Sequence, residues 1–206
     1  MLGANRGQAY SLEAIAGSVI VVMALLFALQ SIIITPTTSS GVDPEVREDL
    51  RAQASDTLVI VDSNETADLS YYTRYWVPEI RTFEGGQNPS VGYGTNSPPE
   101  VLGTILKRTF TRNSRLYNIK VLYLHTNASD GRGRVPMVYR GQPAEGAVTA
   151  SHTVTLYDNQ TLTSGKTGTA ELWEYETNPT SEAYYPIPNA VEGPVYNVVE
   201  VRLTVW

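Results

Sequence analysis

AIAGSVIVVMALLFALQSIII, residues 14–34, runs 21 residues without a charge. As a helix it would extend about 31 Å at ~1.5 Å per residue, the thickness of the hydrocarbon core of a bilayer. Its polar members, Ser18, Gln30 and Ser31, are uncharged, and a serine hydroxyl can bond back to the preceding turn of backbone. A helix of this length lying on a soluble core would carry a polar stripe, and this one has none. The stretch therefore divides the chain into one hydrophobic helix and everything that follows it.

The flanks of the helix orient it. Arg6 and the terminal amine precede it, whereas Asp43, Glu45, Glu48 and Asp49 crowd the far side. The positive-inside rule then puts the C-terminal part outside the cell. A secretory signal peptide would have a shorter apolar region and a small-x-small cleavage site. TPTTSSG at 35–41 lacks that pattern and reads as a linker that ends the helix. Glu13, immediately before the apolar run, has two readings. It is a headgroup-level carboxylate favoured by the helix N-terminus, or a functional or paired group, as ionisable residues at membrane depth tend to be.

RGQAYSLE, residues 6–13, followed at once by the apolar helix, resembles the class III leader of archaeal type IV pilins and archaellins. The whole sequence is similar to haloarchaeal pilin-like membrane proteins that carry a Tyr-rich β-domain behind such a leader. The resemblance implies that a prepilin peptidase cuts between Gly7 and Gln8. That would remove 1–7 as a leader and leave 8–34 as a transmembrane helix that becomes a filament core. It also implies that Glu13 sets helix register by pairing with the N-terminal amine of a neighbour. Members of that group commonly carry this glutamate at the fifth mature position, and Glu13 would be the sixth. Three alternatives follow: a cut between Gln8 and Ala9, a variant with one extra residue, or no processing and a permanent anchor.

Composition narrows the function classes. Fifteen Lys and Arg against 21 Asp and Glu give a net charge of −6, with no polybasic run. Nucleic acid is therefore not an expected partner. Cysteine is absent, which excludes disulfides, thiolate metal sites and thiol nucleophiles. Lysine occurs only at Lys107, Lys120 and Lys166, an arginine bias that hints at a salt-rich or GC-rich source.

Beyond a linker at 35–42, residues 43–206 are expected to form one extracytoplasmic α+β domain. Asp43 reads as an N-cap with Pro44 at the first helical position. Val46, Leu50, Ala54, Leu58 and Val61 then predict a helix over 44–61 with one buried stripe. Pro98-Pro99-Glu100 signals a second helix with Val101, Leu102, Ile105, Leu106 and Phe110 on its apolar side, although Gly103 weakens it. The glycines between the helices, 85–94, lack phosphate-cradle spacing and read as a surface loop. Strands are expected at 118–125, 147–157, 170–175 and 195–206, with a hairpin at Asp158-Asn159. The fold class is thus an N-terminal hydrophobic helix followed by a mostly antiparallel β domain with two packed helices, the last strand central or closing.

No catalytic constellation is legible. His125 and His152 lie in expected strands without ligand-spaced partners. Asp62, Asp68 and Asp130 sit in loop contexts, and Asp130-Gly131-Arg132-Gly133 lacks the later ligands of a calcium loop. No metal, cofactor or enzymatic activity is expected. Asn64, Asn127 and Asn159 head Asn-x-Ser/Thr sequons at expected element ends, where glycans can be carried. Thirteen tyrosines stand against three Phe and three Trp. They suit half-buried contacts with subunits or glycans, but coverage of a β-rich surface is the simpler reading.

The expected function is a structural subunit of a type IV pilus-like surface filament. It would be a homo-oligomer built through the hydrophobic helix and resident in the membrane before assembly. The alternative is an unassembled, single-pass, membrane-anchored surface binding module.

Overall fold

A computed structural model describes residues 4–29, 44–127, 129 and 131–206, and the side chains of the first helix from Leu12 to Phe27. The chain divides into two compact units, Met1–Ser39 and Ser40–Trp206.

The first unit contains one helix, α1 (Ala4–Leu29). It begins earlier than the apolar run and takes in RGQAYSLE, since a single interior glycine costs a helix only about 1 kcal/mol. Ser18 Oγ donates to the carbonyl of Ile15 at 2.8 Å, so the hydroxyl is satisfied within the helix as its position suggests. Among the described residues no helix is long and apolar enough to cross a membrane. The uncharged part of α1 within them, Ala14–Leu29, extends about 24 Å at ~1.5 Å per residue. Gln30–Ile34, which the expected span needs, lies outside the described residues, as do Asp43 and the linker.

The second unit is α+β. Its elements are α2 (Pro44–Asp62), α3 (Leu69–Thr73), the two-residue strands β1 (Trp76–Val77) and β2 (Thr82–Phe83), α4 (Glu100–Thr109), β3 (Tyr117–Leu124), β4 (Arg132–Val138), β5 (Val148–Tyr157) and β6 (Val195–Val205). The main sheet has the order β4-β3-β6-β5, and every pairing in it is antiparallel. β6 is therefore a central strand, as the run of β-branched residues at the end of the sequence led one to expect.

Alternation sorts the strands into two faces. Ile119, Val121, Val135, Val148, Val154, Val199, Val201 and Leu203 point inward and are buried. α2 covers that inner face over β5 and β6 with Leu50, Ala54, Leu58 and Val61. Val46, placed on the same stripe by its spacing, is 44% exposed at the flank of the stripe, about 80° around the helix from Ala54. α4 packs beside α2 through Leu102 and Leu106. Gly103, which weakened the helix by propensity, is needed by packing: a Cβ there would stand 1.8 Å from the carbonyl oxygen of Pro98.

Four sequence expectations are corrected. The 170–175 run forms a 3-10 turn, Leu172–Glu174, closed by a capping box between Glu171 and Glu174, and not a strand. Asp158-Asn159 does not turn a hairpin, because β5 pairs with β6, while Thr161 only bridges to Glu171. β4 was not expected, since its sequence RGRVPMV carries Gly and Pro. It is an edge strand, where Pro136 is tolerated. The glycine loop is not a plain surface loop: Gly92, Tyr93 and Gly94 are buried, and Tyr93 N donates to Met137 O at 2.8 Å while Tyr139 N donates to Val91 O at 3.0 Å. Arg140 clamps this loop, donating to Gly94 O and to Tyr117 Oη at 2.9 Å with its guanidinium 4.0 Å over the Tyr117 ring.

Candidate functional site

From Leu12 to Phe27 every side chain of α1 is exposed. Ile15, Ile20, Met23 and Phe27 are 64%, 67%, 67% and 80% exposed on one half of the helix, and Val21 and Leu25, each 58% exposed, extend the apolar surface around the other. Glu13 is exposed at the start of this run. Gly7 and Gln8 lie in the α1 backbone. An apolar helix without a polar face is stable only in a low-dielectric surround or against like helices. Among the described residues this apolar surface has nothing covering it, and it was legible in the sequence.

The three sequons are not brought together. Asn127 is exposed in the turn between β3 and β4, and Asn159 is exposed just after β5. Asn64 is half-buried, and its Oδ1 accepts from Thr66 N at 3.1 Å and Ala67 N at 2.8 Å, which fixes an Asx turn after α2. Among the described residues the side chains of Asn127 and Asn159 make no hydrogen bond, in contrast to that of Asn64.

His152 has a partner that the sequence did not reveal. Its Nε2 lies 2.9 Å from Asp62 Oδ2 at the C-terminal end of α2, pinning the helix to β5. Ninety residues separate the two, so no local spacing could have signalled the pair. His125 follows the end of β3 and makes an edge contact with the Tyr123 ring at 5.3 Å. Asp68 is the N-cap of α3, accepting from Tyr71 N at 2.6 Å. Asp130 lies outside the described residues. Among the described residues, no group of three or more His, Asp and Glu side chains could hold a metal ion.

The tyrosines do not chiefly cover the surface. Tyr72, Tyr93, Tyr117, Tyr185 and Tyr196 are at most 2% exposed. Trp76 joins Phe83, Tyr184 and Tyr185 edge-on, and Tyr185 continues to Tyr175 and Tyr196, giving one aromatic column. Burial raises the Tyr185 and Tyr196 hydroxyls well above their ordinary range. Most buried hydroxyls are satisfied: Tyr185 donates to Thr73 O at 3.1 Å and Tyr196 to Ile187 O at 2.6 Å. Burial, and then the negative charge of Glu84, push Tyr75 up to about 12. Glu84 itself is held below the usual carboxylate range chiefly by the Ser164 hydroxyl, which donates at 2.7 Å. A cavity of about 330 Å³ at the end of the column is lined by Trp76, Arg81, Tyr123, Arg134 and Tyr184.

The outer face of the sheet is open and polar. Register sets Pro136, Lys120, Arg202 and Ser151 in one row and Arg134, Leu122, Glu200 and Thr153 in the next. Glu200 is tied on both oxygens, by Arg132 on Oε2 and by Arg202 on Oε1, and the Arg202 bonds are the main cause of its lowered pKa. Lys120 and Arg134 make no ion pair among the described residues. Both line a cavity of about 490 Å³ with Asn118, Tyr139, Gln142 and Thr204.

No curated protein and no solved structure matches this chain. A family of unknown function, DUF7288, matches residues 6–205, from the arginine at the start of RGQAYSLE to the last residue of β6, and the chain belongs to that family.

Proposed function

We infer that the chain is a structural subunit of a type IV pilus-like surface filament, with α1 as its assembly helix and the α+β unit as the outward-facing part. The observation that carries this reading is the apolar surface of α1 from Leu12 to Phe27, exposed on all sides while the second unit completes a core of its own. Such a helix needs either lipid or a bundle of like helices, and a subunit that moves from one to the other meets both. Ala14, Ala16, Gly17 and Ser18 supply small residues that let helices approach closely, and no other atom lies within 4 Å of a Cβ placed on Gly17. Glu13, at the mouth of this surface, would set axial register by pairing with a neighbour's terminal amine. The reading includes residence in the membrane before assembly, with the second unit at the cell surface, and no catalytic role.

A second reading, a single-pass surface binding module that does not assemble, is favoured by the aromatic-lined cavity at Trp76, Tyr123 and Tyr184 and by the one-residue offset of Glu13. N-terminal sequencing of protein from native surface material separates the two. A mature chain beginning at Gln8 or Ala9 is expected for the subunit, and an intact Met1 would sink that reading in favour of the anchor.

A further inference from the structure

The second unit is electrically two-faced, and its two charged faces lie on opposite sides. The outer face of the sheet carries Lys120, Arg132, Arg134 and Arg202 against the single carboxylate of Glu200, which Arg132 and Arg202 already occupy. In a chain of net charge −6 this is a concentrated exception. Lys120 and Arg134 are diagonal neighbours across β3 and β4, an arrangement that repels unless an anion lies over it. Leu122 and Leu124 stand half-buried among these cations, and Val198 is 37% exposed on the same face.

α2 lies against the other face of the sheet, and its outward side is the chemical complement. With Leu50, Ala54, Leu58 and Val61 turned inward, helical spacing turns Glu45, Glu48, Asp49 and Asp56 outward together with Ala52, Val59 and Ile60. All of these are exposed, Val59 and Ile60 by 47% and 57%. Arg47 and Arg51 turn toward the sheet and line a crevice with Glu48 and Val148, so Glu48 stands at the rim of the acidic side. Within one copy the sheet itself separates the acidic helix face from the basic strand face, so they can meet only between copies.

We propose that the outer sheet face of one copy docks on the outward face of α2 of the next, head to tail. Cations meet carboxylates, and Leu122, Leu124 and Val198 meet Ala52, Val59 and Ile60. A two-fold pairing would set basic on basic or acid on acid, so the contact is heterologous, which repeats along a row of copies. The 490 Å³ cavity beside Lys120 and Arg134 has the volume to receive a carboxylate side chain of the neighbour. This deepens the filament reading and rests on it for the setting, copies held side by side by α1.

The chain contains no cysteine, so introduced cysteines report on this contact alone. Full-length Ala52→Cys and Leu122→Cys variants carrying different tags, co-expressed in native membranes and mildly oxidised, are expected to give the mixed disulfide dimer, with at least tenfold less product from either variant alone. The double-cysteine chain should give a ladder of higher species. Adding Lys120→Glu and Arg134→Glu should cut the ladder tenfold or more, and adding Glu48→Lys and Asp56→Lys should restore it, which excludes misfolding as the cause of the loss. Dimers from single variants alone, a ladder indifferent to the reversals, or loss without rescue would overturn the docking. Phosphate or an acidic polysaccharide abolishing the ladder at concentrations that saturate the basic face supports a shared anion site under the helix; no effect of Glu48→Lys and Asp56→Lys on an otherwise wild-type ladder overturns it. The ladder is read on membrane protein and filaments are imaged separately. Filaments without a ladder sink this contact alone, and an intact Met1 without filaments sinks the filament reading alone.

Discussion

Tyr93 and Tyr196 are buried in the same core, but their hydroxyls are treated differently. The Tyr196 hydroxyl donates to Ile187 O at 2.6 Å, whereas that of Tyr93 has no hydrogen-bond partner among the described residues. An unpaired buried hydroxyl carries its full desolvation cost, so Tyr93→Phe should raise the unfolding free energy by about 1–2 kcal/mol. Tyr196→Phe should lower it by about 1–2 kcal/mol, because it strands a buried carbonyl. Urea titration of the full-length variants in detergent, followed by near-ultraviolet dichroism, reads both signs. Opposite behaviour of this kind is invisible in a sequence, where both residues are simply tyrosines. The His152–Asp62 pair was hidden for a related reason: the two groups meet only after α2 has docked on β5.

Among the elements, α2 and α4 were legible because helix stripes and N-terminal signals are local, and β3, β5 and β6 because their β-branched runs are long. β4 was not, since an edge strand can be built from Arg, Gly and Pro once a partner strand supplies the hydrogen bonds. Gly133 is there because Tyr123 lies across it: a Cβ would stand 2.2 Å from the ring. The 170–175 run failed the other way, its β-like composition overruled by the Glu171–Glu174 capping box. α4 offers a test in which packing and propensity oppose each other. Gly103→Ala gains helix propensity of about 1 kcal/mol but drives a methyl group into the Pro98 carbonyl. Overpacking costs about 1–3 kcal/mol, so net destabilisation with loss of protection of α4 amides in hydrogen exchange is expected. A more stable Gly103→Ala protein would show that α4 is not seated as described.

The molecule as a whole joins an apolar helix that cannot satisfy itself to a domain that can. Among the described residues the buried core runs from Leu50 onward, so the second unit has a core of its own. That division was legible from residues 14–34 alone, whereas the opposite charging of the two broad faces of the second unit required the sheet register. The central claim, that α1 builds a filament, is tested most directly by shearing the cell surface and imaging the released material by electron microscopy, with an epitope tag on this chain after Trp206. The account predicts thin filaments labelled along their length, reduced or absent when Glu13→Ala replaces the native residue. Label confined to the membrane pellet, with no labelled filaments from wild-type cells, would contradict it.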